Sequence, residues 1–206
     1  MEQGRFITLE GGEGSGKSTL ARGLATALSA KGREVVVTRE PGGAPGADAI
    51  RALLVQGDAN RWAPMEEALL FAAARLNHLH HTIRPALSRG AWVICDRYTD
   101  STWAYQVGGG GLGQAAFESL NALIDANRPD ITLVLDVDPA TGLMRSRGAH
   151  LAEDRFEKKG DEFHQRVRQA FLTIAAREPD RCVLIDASQS ADTVLALALS
   201  AIEARP

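Results

Sequence analysis

Residues 9–28 read LEGGEGSGKSTLARGLATAL, and inside them Gly11-Gly12-Glu13-Gly14-Ser15-Gly16-Lys17-Ser18 fits G-x-x-x-x-G-K-[ST]. A run so rich in glycine is poor core material. An aliphatic stretch, RFITLE (5–10), precedes it, and leucines at 20, 24 and 28 follow at helical spacing. A strand, a glycine turn and a helix in that order leave little freedom. The glycines let successive N–H groups point inward at phosphate oxygens, and the helix adds its positive end. Lys17 reaches the β- and γ-phosphates and the Ser18 hydroxyl ligates Mg2+. The loop is built to hold a nucleoside triphosphate.

Four more runs resemble the first strand: EVVVTR (34–39), WVICD (92–96), ITLVLDV (131–137) and CVLID (182–186). All are nearly continuous in apolar residues, as strands buried on both faces of a parallel sheet are. Helical patterns lie between them. Lys31-Gly32 stops the first, and Pro64 with Glu66 and Glu67 starts another before ALLFAAARL. Phe117, Leu120 and Ile124 line a third stripe, and Phe163, Val167, Ala170, Phe171 and Ile174 a fourth, with Arg166, Arg168 and Arg177 off its apolar face. A last helix runs from about Ala191 to Glu203. Strands alternating with helices give an α/β, P-loop NTPase fold: a five-stranded parallel sheet flanked by helices on both faces, with ligands at the carboxyl ends of the strands. The 206 residues suit one domain over 1–206. The polar insertion near 144–159 is expected to form a small lid.

A formal charge of −3 speaks against a partner held by neutralising many phosphates, such as DNA or RNA. No apolar h-region opens the chain, and VLALALSAI is far short of the roughly 20 residues of a membrane span. A cytoplasmic protein with no membrane partner is expected. Cys95 and Cys182 sit in apolar runs and read as buried, reduced thiols.

A second cluster gathers at strand ends. TREPGG (38–43) follows the second strand, CDRY (95–98) closes the third, and LLFAAAR (69–75) lies on a helix between them. Asp96 stands where a carboxylate can meet Mg2+ or its waters, a turn or cap being the other reading. Arg97 beside it can take a phosphate. Phe71 and Arg75, one helical turn apart, offer an aromatic plane and a set of donors that suit a nucleobase. A core phenylalanine beside a solvated arginine is the competing reading.

The chain resembles the thymidylate kinase family, through FITLEGGEGSGKST, TREPGG, LLFAAAR, WVICDRY, STWAYQ, DITLVLDVDP and DRFE, in that order. The resemblance implies transfer of the γ-phosphoryl of ATP to thymidine monophosphate (dTMP) with Mg2+, in a homodimer. It implies an ATP site of Gly11, Gly12, Glu13, Gly14, Ser15, Gly16, Lys17, Ser18 and Thr19, with Arg147 from the lid, and a metal site of Ser18 and Asp96. For dTMP it implies Phe71 stacking on thymine, Arg75 on its edge, Arg97, Arg39 and Arg51 at the acceptor phosphate, and Ser101, Tyr105 and Gln106 lining the nucleoside pocket. Tyr105 would disfavour a ribose 2′-hydroxyl, and Glu13 would sit near the 3′-hydroxyl and the reacting phosphates. Some members carry an arginine where Gly14 stands here; the others supply it from the lid, which contains Arg145, Arg147 and Arg155. Arg155 is the expected catalytic arginine and Arg147 the reserve, with Lys17, Arg97 and Glu13 completing the catalytic set. After AYQ, where the family resembles G-G-G-R-G, this chain reads Val107-Gly108-Gly109-Gly110-Gly111: a valine is added and a basic residue missing.

Other signals are set aside. His78 and His81 share a helix face but have no further ligand at metal spacing. Asp138 before Pro139 reads as an N-cap, Asp136 has no assigned role, and DASQS (186–190) resembles the family's adenine-side loop. Another P-loop nucleoside monophosphate or deoxynucleoside kinase, or a nucleotide-dependent switch without an acceptor pocket, are the competing readings.

Overall fold

The structure is a computed structural model and describes residues 4–146 and 155–205. Five parallel strands, β1 (Phe6–Gly11), β2 (Val35–Arg39), β3 (Trp92–Asp96), β4 (Ile131–Asp136) and β5 (Cys182–Asp186), form one sheet in the order β2-β3-β1-β4-β5. Each lies within a residue of the run that the aliphatic pattern marks. The register pairs Leu9 with Asp96 and Gly11 with Leu135, so the glycine loop leaves the centre of the sheet between the ends of β3 and β4.

The two faces are covered by different helices. Alternate residues Ile7 and Leu9 of β1 join Ile94, Leu133 and Ile185 beneath α1 (Lys17–Ala30) and α9 (Ala191–Glu203). Burial of Leu20, Leu24 and Leu28 on α1 follows from their spacing. The opposite face packs Phe6, Val93 and Cys95 under a helical stretch running through α3 (Pro64–His78), a π-helical turn (Leu79–Ile83) and α4 (Arg84–Ser88). It packs Val134 under α8 (Asp161–Arg177), whose five expected stripe residues are all buried.

Three helical pieces lie where only motifs were legible. These are α2 (Pro45–Val55) after TREPGG, and α5 (Thr99–Thr102) running into a π-helical segment (Trp103–Gly109), the two together carrying STWAYQ. Val107, Gly108 and Gly109 are therefore wound into a helix rather than a loop. The absence of side chains lets α8 approach closely: a Cβ on Gly108 would lie 2.6 Å from that of Ala170, and Arg166 donates to the Gly109 carbonyl (3.2 Å). The remaining helices are α6 (Gln114–Leu123) and α7 (Pro139–Ser146). Asp138 caps α7 as its position before proline suggests, accepting from the Ala140 and Thr141 N–H groups (3.0 and 3.3 Å). Both cysteines are buried and unbridged.

Candidate active site

The glycine loop folds into a nest. Lys17 is buried, and its ammonium donates to the carbonyls of Gly11 (3.2 Å) and Gly12 (2.7 Å) and to Ser15 Oγ (3.2 Å). Burial, aided by the Arg97 charge, draws its pKa down to about 8. The Ser18 hydroxyl donates to Asp96 Oδ2 (2.7 Å), so the expected metal pair meets across the ends of α1 and β3. A hydroxyl and a carboxylate are hard oxygen donors that fit Mg2+, which takes few protein ligands and completes its shell with phosphates and water. Among the described residues no group of three histidines, cysteines or carboxylates offers a denser metal site.

Gly14 has φ 62°, and a Cβ there would lie 1.9 Å from the Gly142 carbonyl oxygen. A Cβ on Gly142 would in turn lie 2.2 Å from the Glu13 carbonyl. The loop and α7 thus touch backbone to backbone, with no room for an arginine at position 14. Arg145, on the last turn of α7, borders the loop's cavity along with Arg39, Arg51, Arg97 and Glu157, and its guanidinium donates to the Ala187 carbonyl (2.9 Å).

A second cleft adjoins the first. Glu13, Arg51, Phe71, Arg75, Arg97, Ser101, Tyr105 and Gln106 all line it, so these expected acceptor residues converge; Arg39 borders only the loop side. The two cavities share Glu13, Glu40, Arg51, Arg97 and Glu157. Arg97 lies at the junction. With φ 69° it occupies the left-handed region, and its guanidinium turns back to the Gly11 carbonyl (2.9 Å), Ser101 Oγ (3.2 Å) and Glu13 (3.1 Å). The Tyr105 phenol donates to Glu13 as well (2.9 Å). Burial alone would raise the Glu13 carboxyl, but Arg97 and Lys17 outweigh it and hold it down at about 2. Glu13 is a fixed anion at neutral pH.

Arg75 is buried rather than solvated. Its Nε donates to Glu40 (2.7 Å), one Nη to Thr102 Oγ1 (2.9 Å), and its plane lies over Tyr98 at 5.0 Å. His78 joins the same knot through Glu40 (3.1 Å) and Thr38 (2.6 Å), a packing histidine as its lack of co-ligands suggests. Ser101 gives its hydroxyl to Glu10 (2.5 Å), which also accepts from the Tyr98 and Ser101 N–H groups. Burial, with Asp100 adding to it, pushes Glu10 up to about 7. Asp136, unassigned from sequence, accepts both arms of Arg168 (2.7 and 2.8 Å).

Arg155, the expected catalytic arginine, does not border the loop's cavity in this structure. Its guanidinium is fully buried, far from a solvated loop arginine, and donates to the carbonyls of Leu54, Asp58 and Ala59 (3.1, 2.9 and 3.2 Å) and to Glu67 (2.5 Å). With its donors engaged there, it faces α2 and α3 instead of the glycine loop. Arg147 lies outside the described residues. Four contributors escaped the sequence reading: Glu40, Thr102, Glu67 and Phe156. Glu40 and Phe156 stand inside quoted motifs, TREPGG and DRFE; Glu67 passed for a helix-start acid, a role that Glu66 fills by accepting from the Ala63 N–H (2.8 Å).

Comparison with known proteins bears on the same geometry. A family model described as thymidylate kinase matches residues 9–197. The chain is 52% identical over 197 residues to the thymidylate kinase of Caulobacter vibrioides, covering 95% of this chain and 94% of that one. It is 53% identical over 201 residues to that of Rhizorhabdus wittichii, covering 97% of each. The crystal structure of thymidylate kinase from Ehrlichia chaffeensis superposes with a TM-score of 0.80 at 34% identity, over 97% of this chain and 99% of the other.

Proposed function

The chain belongs to the thymidylate kinase family, ATP-dependent nucleoside monophosphate kinases that carry the γ-phosphoryl of ATP to dTMP, and we propose that its two adjoining cavities divide that work. The observation that carries this division is the shared wall: Glu13, Arg51 and Arg97 border both cavities. A phosphoryl group passing between them stays in contact with the same charges. Phosphoryl transfer asks the protein mainly for positioning and charge neutralisation. Residues Gly11 to Thr19 hold the triphosphate, with Lys17 exchanging its carbonyl partners for phosphate oxygens. Ser18 and Asp96 would hold Mg2+, which would supply charge neutralisation to the triphosphate. Arg145, between the loop and Ala187, serves the adenosine side with Gln189, which lines the same recess.

On the acceptor side, Phe71 stacks on the base and the remaining Arg75 donors meet its edge. Arg39, Arg51 and Arg97 hold the 5′-phosphate. Glu13, ionised and oriented by Tyr105, accepts from the 3′-hydroxyl. Tyr105 packs between Phe156, Phe163 and Phe171, so its ring closes the sugar wall. Separate calorimetric titrations with ATP and dTMP test the division. Lys17→Ala should lose ATP binding by about a hundredfold and keep dTMP within about threefold, and Phe71→Ala the reverse. Loss of both ligands in either folded variant would contradict it.

The homodimer that the resemblance implies has a candidate surface. Met65 and Leu69 on α3, Leu53 on α2 and Leu123 on α6 are exposed large apolar residues on three helices packed side by side. We propose that a second copy covers them. Light scattering should give twice the chain mass for the parent and one chain mass for Leu69→Glu; a monomeric parent would refute it.

A further inference from the structure

We propose that Arg155 is a positioning residue, latching residues 155–159 to α2 and α3 through Glu67 and thereby seating Phe156 as a wall of the acceptor cleft. The inference rests on the acceptor reading above. Arg155 binds where a helix ends: Leu54 belongs to the last turn of α2, and Asp58 and Ala59 to the turn beyond it. Carbonyls there have no intrahelical partner, and a cation is favoured beside them. A flat guanidinium with five fixed donors can gather three carbonyls and one carboxylate at once, which an ammonium cannot. The Arg155 backbone N–H adds a contact to the Val55 carbonyl (3.3 Å).

Glu67 is the hub of this latch. It is 1% exposed and accepts from Arg155, from Lys159 (3.3 Å) and from the Gln106 amide (2.8 Å). Glu67 itself does not line the cleft, whereas two residues it governs do. Gln106 is held directly. Phe156 is held through its neighbour: its ring lies 6.2 Å from that of Phe71 and 5.7 Å from that of Tyr105, with Lys159 Nζ 5.2 Å from its centre. Arg155 does not line the cleft itself and reaches it by way of Phe156, its neighbour, and more remotely through Glu67 and Gln106. A substitution there should be read in acceptor affinity before turnover.

Steady-state kinetics with ATP and dTMP varied separately test this. For Arg155→Met and for Phe156→Ala the KM for dTMP should rise about tenfold or more, while the KM for ATP stays within about twofold and kcat within about fivefold. Arg155→Lys should recover part of the loss. Combining Arg155→Met with Phe156→Ala should add little to either alone, because both remove the same wall. A fall in kcat near a thousandfold in Arg155→Met at unchanged dTMP KM would overturn the proposal and return Arg155 to the moving phosphoryl. So would an unchanged dTMP KM in Phe156→Ala, which decides the matter if Arg155→Met does not fold. A parent enzyme that binds and phosphorylates no dTMP would instead overturn the acceptor reading beneath it.

Discussion

Arg97 shows how one residue's backbone serves the chemistry. A non-glycine residue at φ 69° costs on the order of 1 kcal/mol, and the turn it makes directs the side chain beneath the glycine loop to Gly11 and Glu13. Its neighbour in this network, Glu10, bears on stability. An unfolded glutamate releases its proton near 4.5, while Glu10 in the fold keeps its own to about 7. The folded chain therefore binds the extra proton between those values. The stabilisation is complete below 4.5 and is lost as pH rises through 7. Thermal melts should show Tm falling from about pH 5 to about pH 8, and Glu10→Gln should flatten that interval. An equal slope in the variant would exclude Glu10 as the cause. Little of this was legible beforehand, since Glu10 reads as the polar end of a strand. Phe71 and Arg75, by contrast, showed their shared face through spacing alone. Arg155, expected at the moving phosphoryl by resemblance, and Glu67, expected as a helix-start acid, are instead buried against each other, a pairing between distant segments that only the third dimension shows. Removing Glu67 should cost about 3–5 kcal/mol, because the Arg155 charge is then left buried with carbonyls alone, whereas Glu67 keeps Lys159 when Arg155 is removed.

At the scale of elements, the contact between the glycine loop and α7 is the tightest joint in the site. Because Gly14 and Gly142 meet backbone to backbone, the height of α7 sets where Glu13 stands. Gly142→Ala adds one methyl 2.2 Å from the Glu13 carbonyl. It should lower kcat by about tenfold or more while Tm changes by only a few degrees. Unchanged turnover would show that the loop can shift without consequence. The strands were readable because central parallel strands are continuous apolar runs, and Asp138 because a cap before proline is a local signal. The π-helical segments at Leu79–Ile83 and Trp103–Gly109 were not. Their winding depends on what they pack against: the second lies on α8 with glycines facing Ala170 and Phe163.

The whole molecule sets two adjoining cavities on either side of Glu13 and Arg97, at the carboxyl ends of β1 and β3. Among the described residues no helix is long and apolar enough to cross a membrane. The parallel sheet follows from strands alternating with helices, and both cavities open where such sheets bind ligands. Under the proposed function, what the cleft accepts depends on Phe71, Arg75, Gln106 and Tyr105, which line it together. The most direct measurement is ADP formation from Mg-ATP with one nucleoside monophosphate at a time, beside a control without acceptor. Turnover with dTMP at least about tenfold above every ribonucleotide, and negligible turnover without acceptor, is the predicted result. A ribonucleotide or purine acceptor that outruns dTMP would contradict the assigned pocket. A rate unchanged by any acceptor would contradict transfer between the two cavities.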